Sequence, residues 1–193
     1  FNYLEKRASE IYCEKYVEDA LRQEYSYAFS ERKYPGAPEW HVHNIDGTPF
    51  TIKAGGPYEI LTWEQEKGYT RSIGGENAPV HTARIVPIRG MHYKLPVLGY
   101  RFGNIAYCTD MNHIPEEEYE KLKGLDHFII NCVRRGRHIS HFSLEGALEV
   151  AVKVGAKHTW LTHLSHQLPK YEELLKELPA GVKPAYDGLL INF

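Results

Sequence analysis

Residues 90–115 read GMHYKLPVLGYRFGNIAYCTDMNHIP and contain two short strand-like runs, LGYRF and IAYC. Short runs of apolar and aromatic residues bounded by turn residues predict β-strands. His92 follows an earlier run of this kind, RIVPIRGM, and Asp110 follows IAYCT. A residue type that binds metals therefore stands just past the carboxyl end of two predicted strands.

The same arrangement recurs further along the chain. Four histidines follow the predicted strands FIINCV and HTWLT: His138 and His141 after the first, His163 and His166 after the second. Helical patterns lie between the strands, and one of them begins after Ser143 and ends at Gly155, as caps of both kinds predict. Strands that alternate with helices predict an α/β layered domain, whose strand-end loops form the crevice that binds ligands.

The remaining segments carry weaker signals. Apolar spacing within residues 2–25 predicts one or two helices. Residues 30–82 include EWHVHNI and TPFTIKA, which predict hairpins joined by turns. Near the other end, Asp187-Gly188 predicts a turn into a closing strand, LLINF. We expect a single domain over residues 1–193.

Composition narrows the function classes. The chain has 23 Lys and Arg against 25 Asp and Glu, so its net charge of -2 gives no general attraction to nucleic acid. No stretch approaches the roughly 18 to 20 apolar residues that cross a bilayer, and the start resembles no signal peptide. The three cysteines are far apart, which favours buried thiols over a metal or redox motif. We expect a soluble, cytoplasmic protein with no membrane partner.

The residues at the strand ends favour metal chemistry. Imidazole and carboxylate together suit Zn, Mn or Fe, and a carboxylate such as Asp110 can bridge two ions. Such a pair of ions, roughly 3.5 to 4 Å apart, generates a nucleophile near neutral pH and holds the oxygens of a displacement at phosphorus. Arg134 and His138 are candidate substrate contacts, because cations in this loop could neutralise a phosphate. Such a site is typical of a hydrolase.

Each signal also has a plainer interpretation. A single histidine after a strand is commonly a surface residue, Asp110 alone could be a turn cap, and the arginines of the loop could be only solvated. His41 and His43 imitate a His-x-His ligand pair, but no Asp-His follows them. Alternation along a strand accounts better for that pair. The recurrence at successive strand ends is what favours a shared metal site.

Taken together, four segments resemble the metallo-β-lactamase superfamily. They are residues 90–115, then INCVRRGRHISHFSLEGALEVA (130–151), WLTHLSHQL (160–168) and AYDGLLINF (185–193). The branch they resemble contains the phosphonate-pathway phosphodiesterase, with tRNA 3′-processing nucleases as more distant relatives. The resemblance runs from about residue 12 to 193, apart from an apparent insertion around 59–81. It implies an αββα sandwich with a two-metal centre where the strand-end loops meet.

The resemblance also assigns roles. It implies that His92, Asp110 and His163 bind metal, with Asp110 as the bridging ligand. It places His141 at the scissile phosphate as a general acid, and His166 as a further catalytic or substrate contact. The cofactors implied are two divalent ions, Zn or Mn with Fe as a third choice, that supply a metal-bound hydroxide.

The sequence departs from the family at one motif. Members carry His-x-His-x-Asp-His ahead of the region that begins here, and residues 1–193 contain no such segment. We therefore expect a chain truncated at its N-terminus, an αββα sandwich that is incomplete there, and metal binding that is partial or lost. Such a chain would be inactive by itself and would pair with another copy as a homo-oligomer through exposed sheet surface.

Three hypotheses stay open for the parent protein. The first is a phosphodiesterase for a small or cyclic phosphate ester. The second is a nuclease of the tRNA-processing type, which the overall charge disfavours because long nucleic acids demand an extended basic surface. The third is a binding or scaffold module that kept the fold and lost its metal site.

Overall fold

The computed structural model describes residues 8–34, 36–55, 58–64, 68–74, 77 and 79–192. Contacts between Cα atoms divide the chain into two compact units. The first comprises residues Phe1–Thr48 and Ile52–Thr82, and the second Pro49–Thr51 and Ala83–Phe193. This division does not decide whether the units fold together, so the single domain stays a prediction.

The first unit contains two pairs of strands and two helices. Strand β1 (Ser9–Cys13) runs parallel to β2 (Trp40–Asn44), and helices α1 (Lys15–Glu24) and α2 (Ser26–Phe29) lie between them in sequence. Strands β4 (Tyr58–Glu64) and β5 (Gly68–Gly74) form an antiparallel hairpin. This hairpin falls within the predicted insertion at 59–81.

The second unit is built on a mixed sheet. Its strands are β6 (Val80–His92), β7 (Leu95–Phe102), β8 (Ile105–Cys108), β9 (His127–Asn131), β10 (His158–Thr162) and β11 (Val182–Pro184). They lie in the order β11-β10-β9-β8-β7-β6, and the start of β3 (Phe50–Gly55) follows β6 at the edge. Strands β8, β9, β10 and β11 are parallel, whereas β7 is antiparallel to both of its neighbours. The carboxyl ends of β6, β8, β9 and β10 therefore meet at one edge.

Helices cover one face of this sheet. They are a 3-10 helix (Glu116–Leu122), α3 (Leu144–Val154) and α4 (Tyr171–Glu177). Ser143 caps α3 by accepting a hydrogen bond from the N–H of Gly146 at 3.2 Å, and Gly155 ends the helix with a φ of 64°, as predicted. One buried cluster joins helix and sheet: Ile88, Ala106, Phe128, Ile130, Leu161, Leu122, Leu144, Ala147 and Val150. This packing fixes the strand ends that carry the candidate site.

Three local predictions were wrong. Residues 9–13 form a strand instead of a helix, because Ser9–Cys13 pairs with a segment about thirty residues away, and helix begins only at Lys15. That pairing is parallel, so EWHVHNI forms no hairpin with its neighbour. Residues 189–192 form no strand, and the last strand is Val182–Pro184, which pairs with β10.

Several other predictions are confirmed. The turn at Asp187-Gly188 forms, with a φ of 86° at Gly188. All three cysteines are free and buried. Nowhere in the described ranges is a helix both long and apolar enough to cross a membrane.

Candidate metal centre

The candidate site lies at the edge where four strands of the second unit end. His92 is the last residue of β6, and Asp110 lies two residues past β8. His141 is in the loop after β9, and His163 directly follows β10. The topology thus brings together four residues that the sequence spreads over about seventy positions.

Asp110 is at the centre of this group. Its Oδ1 atom lies 3.2 Å from Nε2 of His163 and 3.8 Å from Nδ1 of His141. The ring of His141 lies between two others, with its centroid 4.8 Å from that of His92 and 5.7 Å from that of His163. One ligand atom from each of His92, Asp110 and His141 lies within 4.8 Å of the other two.

His141 has an unsatisfied buried atom. Its Nδ1 is the one buried side-chain nitrogen or oxygen in the described residues that lacks a hydrogen-bond partner. Burial lowers the pKa of His141, and the nearby His92 lowers it further. The imidazole is therefore neutral at pH 7, with a lone pair that can bind a metal or accept a proton.

These residues fit divalent metal ions. Imidazole and carboxylate donors suit Zn and its neighbours, and ligand atoms on one such ion lie at most about 4.2 Å apart. The cluster around Asp110 is within about an ångström of that spacing, and a buried nitrogen without a partner is what a ligand looks like before metal binds. His163 also touches Asp110, so four donors share this edge.

The backbone is strained at the same place. Three non-glycine residues of the described chain have a positive φ: Tyr93 at 58°, Asp110 at 55° and His163 at 58°. Two of them are candidate ligands, and Tyr93 follows a third. Left-handed backbone costs a side-chain-bearing residue roughly 1 to 2 kcal/mol, and such strain gathers at functional sites.

Two asparagines that the sequence reasoning missed support this strained backbone. Asn131, fully buried at the end of β9, accepts a hydrogen bond from the N–H of Met111 and donates one to its carbonyl, both at 3.0 Å. Asn112 accepts from the N–H of Tyr93 at 3.0 Å and donates to the carbonyl of Ile139 at 3.0 Å. A polar residue inside the apolar run FIINCV was the available signal for Asn131.

The remaining predicted site residues differ in where they lie. His138 is at the site: its ring stacks on His141 at 5.1 Å, and its Nδ1 faces the N–H groups of Ser140 and His141 at 3.3 and 3.2 Å. The guanidinium of Arg134 donates to the carbonyl of Arg137 at 2.9 Å, which supports the loop. His166 is exposed, and the described contacts do not connect it to the Asp110 group.

The His41 and His43 pair is explained by strand pairing. Both side chains lie on β2 in the first unit and bond to Glu10, with His41 Nδ1 at 3.1 Å from Oε1. Tyr12 stacks on His43 with a ring separation of 4.6 Å. These contacts follow from the register that sets Glu10 opposite His41 and Tyr12 opposite His43.

With this geometry in view, comparison with known proteins assigns the chain. The family model described as "Beta-lactamase superfamily domain" matches residues 2–164. The chain belongs to this family. The resemblance found in the sequence is thereby confirmed, and with it the metallo-β-lactamase-like fold class.

Individual proteins are also similar to this chain. A crystal structure described as a diphosphatase from the PhnP family matches with a TM-score of 0.72 and 28% identity, covering 100% of this chain and 62% of that one. An octanoyltransferase of Porphyromonas gingivalis is 32% identical over 180 residues, covering 93% of this chain and 31% of that protein. A ribonuclease Z of Lachnoclostridium phytofermentans is 34% identical over 80 residues, covering 38% of this chain and 26% of that one.

The extent of these matches limits what they transfer. This chain spans about a third of the octanoyltransferase and about three fifths of the diphosphatase. The activities of those whole proteins therefore support a proposal for this chain and are not assigned to it.

Proposed function

We propose that this chain carries part of the catalytic site of a metal-dependent phosphodiesterase that acts on a small or cyclic phosphate ester. The observation that carries the proposal is the convergence of three histidines and an aspartate from four strand ends on one edge. Beside the three candidate ligands, the Nδ1 of His141 is buried and without a partner, so it can exchange a proton.

His92, Asp110 and His163 are the proposed metal ligands. Asp110 is placed to bridge, because its Oδ1 faces imidazoles on two sides. Divalent ions held there, Zn or Mn or alternatively Fe, would supply positive charge that activates a water molecule and neutralises the phosphate oxygens. Further ligands would have to complete both coordination shells, since three side chains cannot do so.

His141 is the proposed proton carrier. The lowered pKa of His141 means that it starts as the neutral form, so an acid role requires that it first take a proton. We assign it both halves of the transfer. It takes up the proton that the water molecule releases on becoming hydroxide, before the displacement, and it gives that proton to the leaving oxygen as the P–O bond to the leaving group breaks. His138, stacked against it, and Arg134 in the same loop are the proposed contacts for the substrate phosphate, and His166 is a more distant candidate.

The relatives support a phosphorus substrate. The diphosphatase of the PhnP family and the ribonuclease Z both act on phosphate esters or anhydrides by name. A nuclease is the second candidate, and the ribonuclease Z similarity favours it, whereas the net charge of -2 does not. The octanoyltransferase similarity makes an acyl ester worth including among the substrates tested.

The test is a comparison of metal content and turnover in the natural full-length protein. Metal is measured by mass spectrometry after dialysis, and turnover with bis-p-nitrophenyl phosphate, a short RNA and p-nitrophenyl octanoate. We expect divalent metal and hydrolysis of the diester. Both should fall at least 100-fold in His92→Ala and in Asp110→Asn, which keeps the side-chain size.

His158→Ala is the matched control, because His158 starts β10 at the opposite edge of the sheet and is exposed. It should leave metal content and turnover within twofold of the parent. A full-length protein that is metal-free and inert toward all three substrates would overturn the proposal and favour the binding or scaffold role. Assay of residues 1–193 alone tests the prediction that this segment is inactive and binds little metal.

A further inference from the structure

A pocket of about 710 Å³ opens beside His141. His138 and His141 line it on the side of the candidate metal centre, and Tyr119 and Lys153 line it elsewhere. Ile114, Phe142 and Val150 provide an apolar part of its wall. Its volume lies within the range of roughly 300 to 1,000 Å³ that holds organic ligands, and is far more than a phosphate group needs.

One face of helix α3 forms a wall of this pocket. Gly146, Glu149, Val150 and Lys153 all line it, and spacings of three, four and seven residues place them on the same face of a helix. From Gly146 to Lys153 this face is about 10 Å long at 1.5 Å per residue. The pocket thus extends away from His141 along the helix.

Gly146 breaks a local rule on this face. Glycine in a helix costs roughly 1 kcal/mol relative to alanine. Space does not require it here, because a Cβ atom at Gly146 would meet Phe142 at 3.4 Å and Ser143 Oγ at 3.6 Å, both ordinary contacts. Because Gly146 lines the pocket, a side chain larger than that of alanine at this position would take up pocket space.

The charges of the lining indicate what fits. Lys153 is already engaged, since its Nζ lies 3.7 Å from the centroid of the Tyr119 ring and pairs with Glu116. Arg137 and the carboxylates of Glu145 and Glu149 also line the pocket, so its charged groups are of both signs and give no net attraction for a second phosphate. A neutral group with hydroxyls or amines can meet both signs of charge by hydrogen bonding.

We propose that this pocket binds the leaving group of the phosphate ester, and that Gly146 is a specificity-determining residue that keeps room for a leaving group of nucleoside size. The inference rests on the proposed function in one respect, which is that the phosphate lies at the candidate metal centre beside His141. The pocket shares His141 with the metal centre, so the alcohol portion of the substrate extends into it.

The test fills the pocket from Gly146. Gly146→Leu adds a side chain on the pocket face, and Gly146→Ala is the matched control that keeps the space. Adenosine serves as the non-reacting alcohol in titration calorimetry, and uridylyl-(3′→5′)-adenosine as the ester whose leaving group is that alcohol. Gly146→Leu should weaken adenosine binding at least tenfold and lower kcat/KM for the dinucleotide at least tenfold more than for bis-p-nitrophenyl phosphate. Gly146→Ala should bind adenosine within twofold of the parent.

The outcomes separate the two proposals. Hydrolysis of bis-p-nitrophenyl phosphate without adenosine binding at millimolar concentration would overturn the pocket assignment and leave the function standing. If the protein binds adenosine, loses that binding in Gly146→Leu and hydrolyses no diester, the pocket assignment stands and the proposed function is overturned.

A second variant protects the test against misfolding. If circular dichroism shows that Gly146→Leu does not fold, Glu149→Phe fills the same pocket from an exposed position on α3. Its control is Glu172→Phe, which makes the same change at an exposed position of α4 outside the pocket lining. Equal adenosine affinity in Glu149→Phe and Glu172→Phe would refute the pocket assignment.

Discussion

Replacement of Asn131 by leucine removes the side chain that anchors the strained loop of Asp110. Asn131 is fully buried and makes two hydrogen bonds, both to the backbone of Met111. Leucine has the same number and branching of side-chain heavy atoms but neither donor nor acceptor. The change therefore tests whether these two bonds position the neighbouring candidate ligand.

The expected loss of stability depends on which hydrogen bonds the N–H and the carbonyl of Met111 keep in the variant. The N–H of Met111 loses its partner at a buried position, which costs about 1 to 3 kcal/mol. The carbonyl still accepts from the N–H of Phe142 at 2.8 Å, so it loses one of two bonds, worth about 0.5 to 1.5 kcal/mol. We expect the free energy of unfolding to fall by about 1.5 to 4.5 kcal/mol, or the melting temperature by about 3 to 18 °C for a chain of this length.

Urea unfolding followed by circular dichroism measures this change, and Asn131→Asp gives a second, sharper readout. A buried aspartic acid is neutral only at low pH, where it can both accept and donate as asparagine does. Its folded pKa is raised, so its stability relative to the parent should be highest below about pH 4 and fall as pH rises. A leucine variant within 0.5 kcal/mol of the parent, or an aspartate variant with no such pH dependence, would refute the reasoning.

Three further predictions concern the sheet, the thiols and the assembly. Gly99→Ala should lower the free energy of unfolding by about 1 to 3 kcal/mol in urea, because its Cβ would lie 2.9 Å from the carbonyl oxygen of Tyr107 and 2.7 Å from Cys108 Sγ; a neutral result would contradict the close approach. Burial raises the pKa of both the Cys108 and Cys132 thiols to about 12 from the usual 9.0. The unfolded chain therefore releases these protons first, and stability should fall between about pH 9 and pH 12, less steeply in the double alanine variant; equal slopes would argue against buried thiols. Light scattering of residues 1–193 should show a homo-oligomer, and a uniform monomer would disprove that prediction.

The candidate site could be predicted from the sequence because the strand topology alone brings its residues together. His92, Asp110, His141 and His163 each follow a run that is recognisable as a strand, and parallel strands end at the same edge. Because the four residues are of types that bind metal, their convergence could be inferred without knowledge of any side-chain conformation.

The errors came where distant pairing overrides local pattern. Ser9–Cys13 has helical neighbours and apolar residues at mixed spacing, and it becomes a strand only because Trp40–Asn44 lies beside it. LLINF is a short apolar run of the kind that predicts a strand, yet its described residues join no sheet. Contacts between residues far apart in sequence decide such cases, and a single sequence carries no record of them.

Local sequence pattern also did not predict the hydrogen bonds that support the site. These bonds explain how the backbone strain persists. Three left-handed residues cost roughly 3 to 6 kcal/mol in all, by the estimate of 1 to 2 each. Opposing this cost, Met91 exchanges hydrogen bonds with the Asp110 loop at 2.8 and 2.9 Å, and Asn131 and Phe142 hold Met111. These bonds tie the loop to β6 and β9 together, so relaxing Asp110 would break several at once. The positions of the candidate ligands are therefore set by the protein itself, so that binding of an ion would need to order little further.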